Sequence, residues 1–276
     1  MVISAAGMAI CLLCGGCAGQ KAPDAEWNMG NETVSEDEVM ENTFDETSAE
    51  TDNSDVEENA LQEAAASGDE AKAETKDGDK EAELDGMFTA EPISDEVFER
   101  INGISYVEND NIGREDLRYL RLLYCGFDGE THVGEMITNA QIADEILEIF
   151  RTLYENDYPI EKIQLIDEYG GDDDLAVADN NTSCFNYRVV AGSTKLSRHA
   201  LGMAVDINPF YNPYVTYPNG VKHSSPEGSD IYADRSADFP YKIGGEGDLC
   251  LQLFDAHGFT WGGRWKSVQD YQHFQK

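Results

Sequence analysis

The stretch S-R-H-A-L-G-M-A-V-D-I-N occupies residues 197–208 and contains both a strand pattern and two residue types that bind metals. From Gly202 onward, apolar residues alternate with small or polar ones, which predicts a β-strand with one face on a core. Asp206 lies on the other face, near the small residues Gly202 and Ala204. These small neighbours leave room for a bulky group above the Asp206 carboxylate.

His199 lies seven residues before Asp206, a spacing that would place the two on opposite faces of a straight strand. Gly202 lies between them and permits a bend that returns His199 to the Asp206 side. A neutral imidazole and a carboxylate that converge on a surface of small residues favour a metal site.

The C-terminal sequence D-Y-Q-H-F-Q, residues 270–275, supplies a third candidate ligand, His273. On a strand, Phe274 would face the core while His273 and Gln275 share the opposite face. His199, Asp206 and His273 would then provide three protein ligands, the number typical of a catalytic zinc with one position left for water. Asp270, three residues before His273, is the candidate general base for that water.

These motifs, together with W-G-G-R-W at 261–265, resemble the VanX/VanY-type zinc D-alanyl-D-alanine carboxypeptidases and related peptidoglycan endopeptidases. The resemblance extends over most of residues 117–275. It implies zinc held by His199, Asp206 and His273, with Asp270 as the base. It also implies an arginine that binds the developing oxyanion, and Arg188 fits this role by its position.

The resemblance further implies the fold shared with hedgehog signalling domains and peptidoglycan stem peptides as substrate. Release of terminal D-alanine is the first expectation for the reaction. An endopeptidase of the same family and a non-catalytic wall-binding module are the alternatives. Two histidines and a carboxylate also hold non-haem iron in oxygenases, although those enzymes usually space the first pair as His-x-Asp.

The elements around these motifs predict an α+β fold with a mostly antiparallel sheet and flanking helices, because strands and helices do not alternate as in βαβ units. Leu117–Tyr124 and His132–Ile137 predict a hairpin. Helices are predicted after Ser94, after a capping box at 138–141 and after Asp248. The polar stretch 209–242 is predicted to be a long loop at the rim of the site.

The formal net charge of −36 argues against a nucleic-acid partner, because phosphate binding requires basic surfaces. Residues 21–90 contain 23 acidic and 4 basic residues and few apolar ones. This composition predicts a disordered acidic tether at 18–90, and residues 91–276 are predicted to form the zinc peptidase domain.

Residues 1–17 predict a signal peptide of the lipoprotein type, with an apolar run that ends in Gly15-Gly16-Cys17. Cys17 would then carry a lipid that anchors the protein to the outer face of the cell membrane. The alternative is a hydrophobic N-terminal segment without an export role. Within the predicted domain, Cys125, Cys184 and Cys250 allow at most one disulfide among themselves, with its pairing left open.

Overall fold

A computed structural model describes residues 84, 86–190, 193–245 and 247–276. The predicted leader at 1–17 and most of the predicted tether at 18–90 lie outside these residues. The first described strand begins at Thr89, and the predicted domain boundary near residue 91 stays a prediction. No helix in the described part of the chain has the length and apolar character needed to cross a membrane.

Short strands and helices alternate irregularly along the described residues. The α-helices are α1 (Asp95–Ile101), α2 (Ala143–Glu155), α3 (Asp173–Ala178) and α4 (Leu249–Ala256). The strands are β1 (Thr89–Pro92), β2 (Leu117–Cys125), β3 (Thr131–Asn139), β4 (Lys162–Ile163), β5 (Asn181–Thr182), β6 (Ala204–Asp206), β7 (Tyr214–Thr216), β8 (His223–Ser225), β9 (Thr260–Trp261), β10 (Gln269–Asp270) and β11 (His273–Gln275).

These strands form four small sheets, with the orders β1-β2-β3, β10-β7-β8, β6-β11-β9 and β4-β5. The first three sheets are antiparallel, and the β4–β5 pair is parallel. The predicted α+β class with mostly antiparallel pairing is confirmed.

The predicted hairpin is formed by β2 and β3, which pair from Leu117↔Asn139 to Cys125↔Thr131. Helix α2 packs its apolar stripe against this hairpin, because its apolar residues recur at helical spacing. That stripe is fully buried in the main core, together with side chains from the sheet β6-β11-β9; its members are Ile146, Ile149, Phe150 and Leu153.

The sheet β6-β11-β9 carries the residues predicted to bind a metal. Phe274 in β11 is fully buried and pairs with Val205 of β6 on one side and Trp261 of β9 on the other. The same register sets His273 directly opposite Asp206. Two predicted ligands distant in sequence are therefore cross-strand neighbours, with side chains on one face of the sheet.

Gly202 makes the predicted bend. It has φ of +64° and ends the short 3-10 helix His199–Leu201 just before β6. A Cβ atom at this position would lie 2.6 Å from the backbone nitrogen of Asn139. Only glycine meets both requirements, a left-handed backbone and close contact with the end of β3.

We expect Gly202→Ala to lower the free energy of unfolding by at least about 2 kcal/mol, because it adds backbone strain and a clash. Thermal melts measure this loss. Gly129→Ala is the matched control, since Gly129 has φ of +77° but open space around the missing Cβ. If both variants lose the same free energy of unfolding, the close contact between position 202 and Asn139 does not contribute to the loss.

Two predicted local features are wrong. The capping box at 138–141 does not form, because Thr138 and Asn139 pair with β2 as the end of β3 and α2 begins only at Ala143. The stretch 209–242 is not a plain loop, since it contains the hairpin β7–β8. This hairpin pairs with β10, so that Tyr214 lies opposite Asp270.

Candidate metal centre

The fold brings His199, Asp206 and His273 together as one buried cluster. One ligand atom from each residue lies within 4.8 Å of those from the other two. His273 Nδ1 is 3.0 Å from Asp206 Oδ1 and 3.1 Å from His199 Nε2, and His199 Nε2 is 3.3 Å from Asp206 Oδ2. Two imidazoles and one carboxylate at these separations form a donor set suited to one divalent ion.

The remaining ring nitrogen of each histidine has a hydrogen-bond acceptor of its own. His199 Nδ1–H donates to the backbone carbonyl of Cys184 at 2.6 Å, and His273 Nε2–H donates to Gln275 Oε1 at 3.0 Å. These bonds fix the tautomers, since a neutral imidazole carries only one N–H. The two nitrogens that face each other across 3.1 Å are then both lone-pair donors.

Such an arrangement needs a cation between the rings, either a proton or a metal. Burial alone would lower the pKa of His273, but its hydrogen bond to Asp206 and the charge of that carboxylate raise the pKa to about 9. The metal-free cluster therefore holds a proton at neutral pH. The residues fit a metal ion, because one cation satisfies both lone pairs and the carboxylate at once.

Asp206 is held in place by more than the two histidines. Burial by itself would raise its pKa, but the charges and hydrogen bonds of His199 and His273 hold the pKa well below its usual range. Gln272 Nε2 donates to Asp206 Oδ2 at 3.3 Å. The carboxylate therefore stays ionised and orientated.

Asp270 lies at the end of β10, close to this cluster. Its Oδ1 atom is buried and has no hydrogen-bond partner in the described structure. Burial raises the pKa of Asp270 to about 7, with the charge of His273 opposing the rise and the charge of Asp206 adding to it. Gly262 permits the close packing, since a Cβ there would lie 2.8 Å from the Asp270 Cβ.

Arg188 lies near enough to Asp270 for its charge to lower the pKa of that carboxyl. Its Nη2 donates to Asp173 Oδ2 at 2.7 Å, and each of these side chains is about 30% exposed. Its Nε is buried and has no acceptor among the described residues. The structure thus places all five predicted site residues in one region, while their roles stay predictions.

Two residues of this region were not predicted from the sequence: Asp173 and Gln272. Asp173 belongs to an acidic run that resembles a solvated loop, so it gave no signal. Gln275 was predicted to share a strand face with His273, and the hydrogen bond between the two side chains agrees with that prediction. Ser197 Oγ accepts a hydrogen bond from the His199 backbone nitrogen.

The cysteines of the predicted domain take no direct part in the cluster through their thiols. Cys125, Cys184 and Cys250 are all free in the described structure. Cys184 and Cys250 are buried, and burial raises the pKa of both thiols. They are therefore unreactive core residues, although the Cys184 carbonyl orientates His199.

No curated protein and no solved structure gives a significant match to this chain. One family model matches residues 191–276, which is less than a third of the chain. The matched segment contains His199, Asp206, Asp270 and His273, whereas Arg188 precedes it. Over this segment the chain is similar to the M15 peptidases, through a family model described as D-alanyl-D-alanine carboxypeptidase.

Proposed function

We propose that this protein is a zinc-dependent peptidase that releases terminal D-alanine from peptidoglycan stem peptides. The observation that carries the proposal is the buried group His199, Asp206 and His273, which lies within the segment similar to the M15 peptidases.

Zinc bound to the three ligands would supply Lewis-acid chemistry towards water and the scissile carbonyl. The tautomers of the two histidines direct one nitrogen lone pair from each ring into the cluster. Asp206 adds the single negative charge of the ligand set. Two nitrogens and one carboxylate would give the three protein ligands that are typical of a catalytic zinc site.

Asp270 is the proposed general base. Its unpartnered Oδ1 is free to accept a proton from the attacking water, and the same carboxyl would then return that proton to the leaving amine. Arg188 is the proposed oxyanion donor. Its unpartnered Nε would donate to the oxygen that gains charge in the tetrahedral transition state.

The hairpin β7–β8 supports a substrate-binding role for the stretch 209–242. Since β7 pairs with β10, the hairpin is attached to the strand that carries Asp270. We propose that it forms one wall of the substrate cleft and thereby decides between the removal of a terminal residue and cleavage within the peptide. An endopeptidase of the same family is the second candidate function.

Export and a lipid on Cys17 would place the peptidase on the outer face of the cell membrane, with residues 18–90 as a tether towards the cell wall. The strongly acidic composition of the tether supports an extended, solvated spacer.

The decisive experiment incubates the purified protein with pentapeptide and tetrapeptide stem substrates, and the products are identified by mass spectrometry. We expect loss of one D-alanine from the pentapeptide, abolition of this activity by a chelator and restoration by stoichiometric zinc. Cleavage between inner residues would establish the endopeptidase instead. No hydrolysis of either substrate by the zinc-loaded protein would refute the peptidase proposal.

A further inference from the structure

One carboxylate of the acidic run at 172–174, that of Asp173, forms an ion pair with Arg188. Asp172 caps helix α3, since its side chain accepts from the Leu175 backbone nitrogen. Asp174 is exposed. Asp173 instead binds Arg188 Nη2 at 2.7 Å and is only about 30% exposed. The three neighbouring carboxylates therefore have different surroundings.

Asp173 accepts a hydrogen bond from the Arg188 guanidinium. It is the one hydrogen-bond acceptor of the Arg188 side chain among the described residues, and the contact joins α3 to the segment that precedes the ligand motif. The amide of Asn186 lies 3.5 Å from Asp173 Oδ1 on the same side. A carboxylate bound to Nη2 restricts the rotation of the planar guanidinium and therefore the orientation of Nε.

The Nε of Arg188 is buried and has no hydrogen-bond acceptor among the described residues. A buried donor without an acceptor is costly, and an oxygen of a bound ligand would satisfy the Arg188 Nε. An ion pair with this degree of exposure contributes little to stability, which argues against a purely structural role.

We propose that Asp173 is a positioning residue that holds Arg188 with its Nε directed towards the transition-state oxyanion. This inference rests on the proposed function. Asp173 acts through Arg188 and does not touch the substrate. Removal of its charge should therefore lower kcat more than it changes KM, because the oxyanion exists only in the transition state.

The test compares Asp173→Asn, Arg188→Ala and the double variant, with Asp174→Asn as the matched control. We expect Asp173→Asn to lower kcat about 10- to 100-fold with KM nearly unchanged, and Arg188→Ala about 100- to 1000-fold. In the Arg188→Ala background, Asp173→Asn should add less than a twofold effect. Additive effects, or equal effects of Asp173→Asn and Asp174→Asn, would overturn the inference.

A second readout does not depend on peptidase activity. Nitrogen-15 relaxation of the Arg188 Nε–H, assigned through Arg188→Lys, reports whether the guanidinium is rigid. We expect rigidity in the wild type and in Asp174→Asn, and fast motion in Asp173→Asn. An ordered arginine in an inactive wild type would refute the proposed function alone, whereas an arginine equally ordered in Asp173→Asn would refute the positioning role.

Discussion

Replacement of Asp270 by alanine is expected to lower kcat/KM by about 1000-fold or more while the protein still binds zinc. General acid–base catalysis raises the rate by about 100- to 10,000-fold. Asp270 is proposed both to accept the proton from water and to donate it to the leaving amine. The three ligand residues are untouched by this change. Steady-state kinetics with the pentapeptide, together with metal content after gel filtration, measure the two outcomes separately.

The same variant is expected to be at least as thermally stable as the wild type. The Asp270 Oδ1 is buried without a hydrogen bond, so its removal relieves an unsatisfied group. Activity and stability should therefore change in opposite directions. A large loss of both would instead indicate that the substitution disrupts the β10–β7 pairing, and Asp270→Asn, which keeps the side-chain shape, separates these explanations.

The pH profile gives a further check on Asp270. A general base must be ionised, so wild-type kcat/KM should rise with pH through the pKa of this carboxyl and then level off. Burial raises that pKa to about 7 in the metal-free protein, and a bound dication would bring the rise to lower pH. The residual activity of Asp270→Asn should lack this rise. If the rise persists in this variant, it does not report the ionisation of Asp270.

The sequence predicted the elements whose signal is local. The hairpin β2–β3 and the caps Ser94 and Asp248 appear in the structure because strand formers and helix caps act within a few residues. The strand pattern around Asp206 and the final His-Phe dipeptide placed two candidate ligands on the correct faces. Gly202 indicated the bend because no other residue type adopts its backbone conformation at so low a cost.

Features that depend on tertiary register could not be predicted. The strands of the hairpin β7–β8 have three residues each, too few for an alternation pattern to distinguish them from a polar loop. The false capping box at 138–141 follows from the same limit, since its residues satisfy the motif but pair with β2. The ion pair of Asp173 with Arg188 joins side chains whose proximity no sequence spacing specifies.

Replacement of Asp206 by asparagine is expected to have the largest effect on metal binding. The change keeps the side-chain shape but removes the single negative charge of the ligand cluster. We expect zinc affinity to fall more than about 100-fold, since even residues that contact ligands indirectly contribute about 10- to 100-fold. Competition with a chromophoric chelator measures the affinity, and Asp174→Asn is the matched control.

The pH dependence of zinc binding should also change in this variant. Asp206 raises the pKa of His273 to about 9, so zinc must displace a proton from the wild-type cluster below that pH. Wild-type affinity should therefore increase about tenfold per pH unit between pH 7 and 9. Without the Asp206 charge the His273 pKa falls, and the affinity of Asp206→Asn should become nearly independent of pH over this range. An equally steep dependence in both proteins would show that the displaced proton is not held by the His273–Asp206 pair.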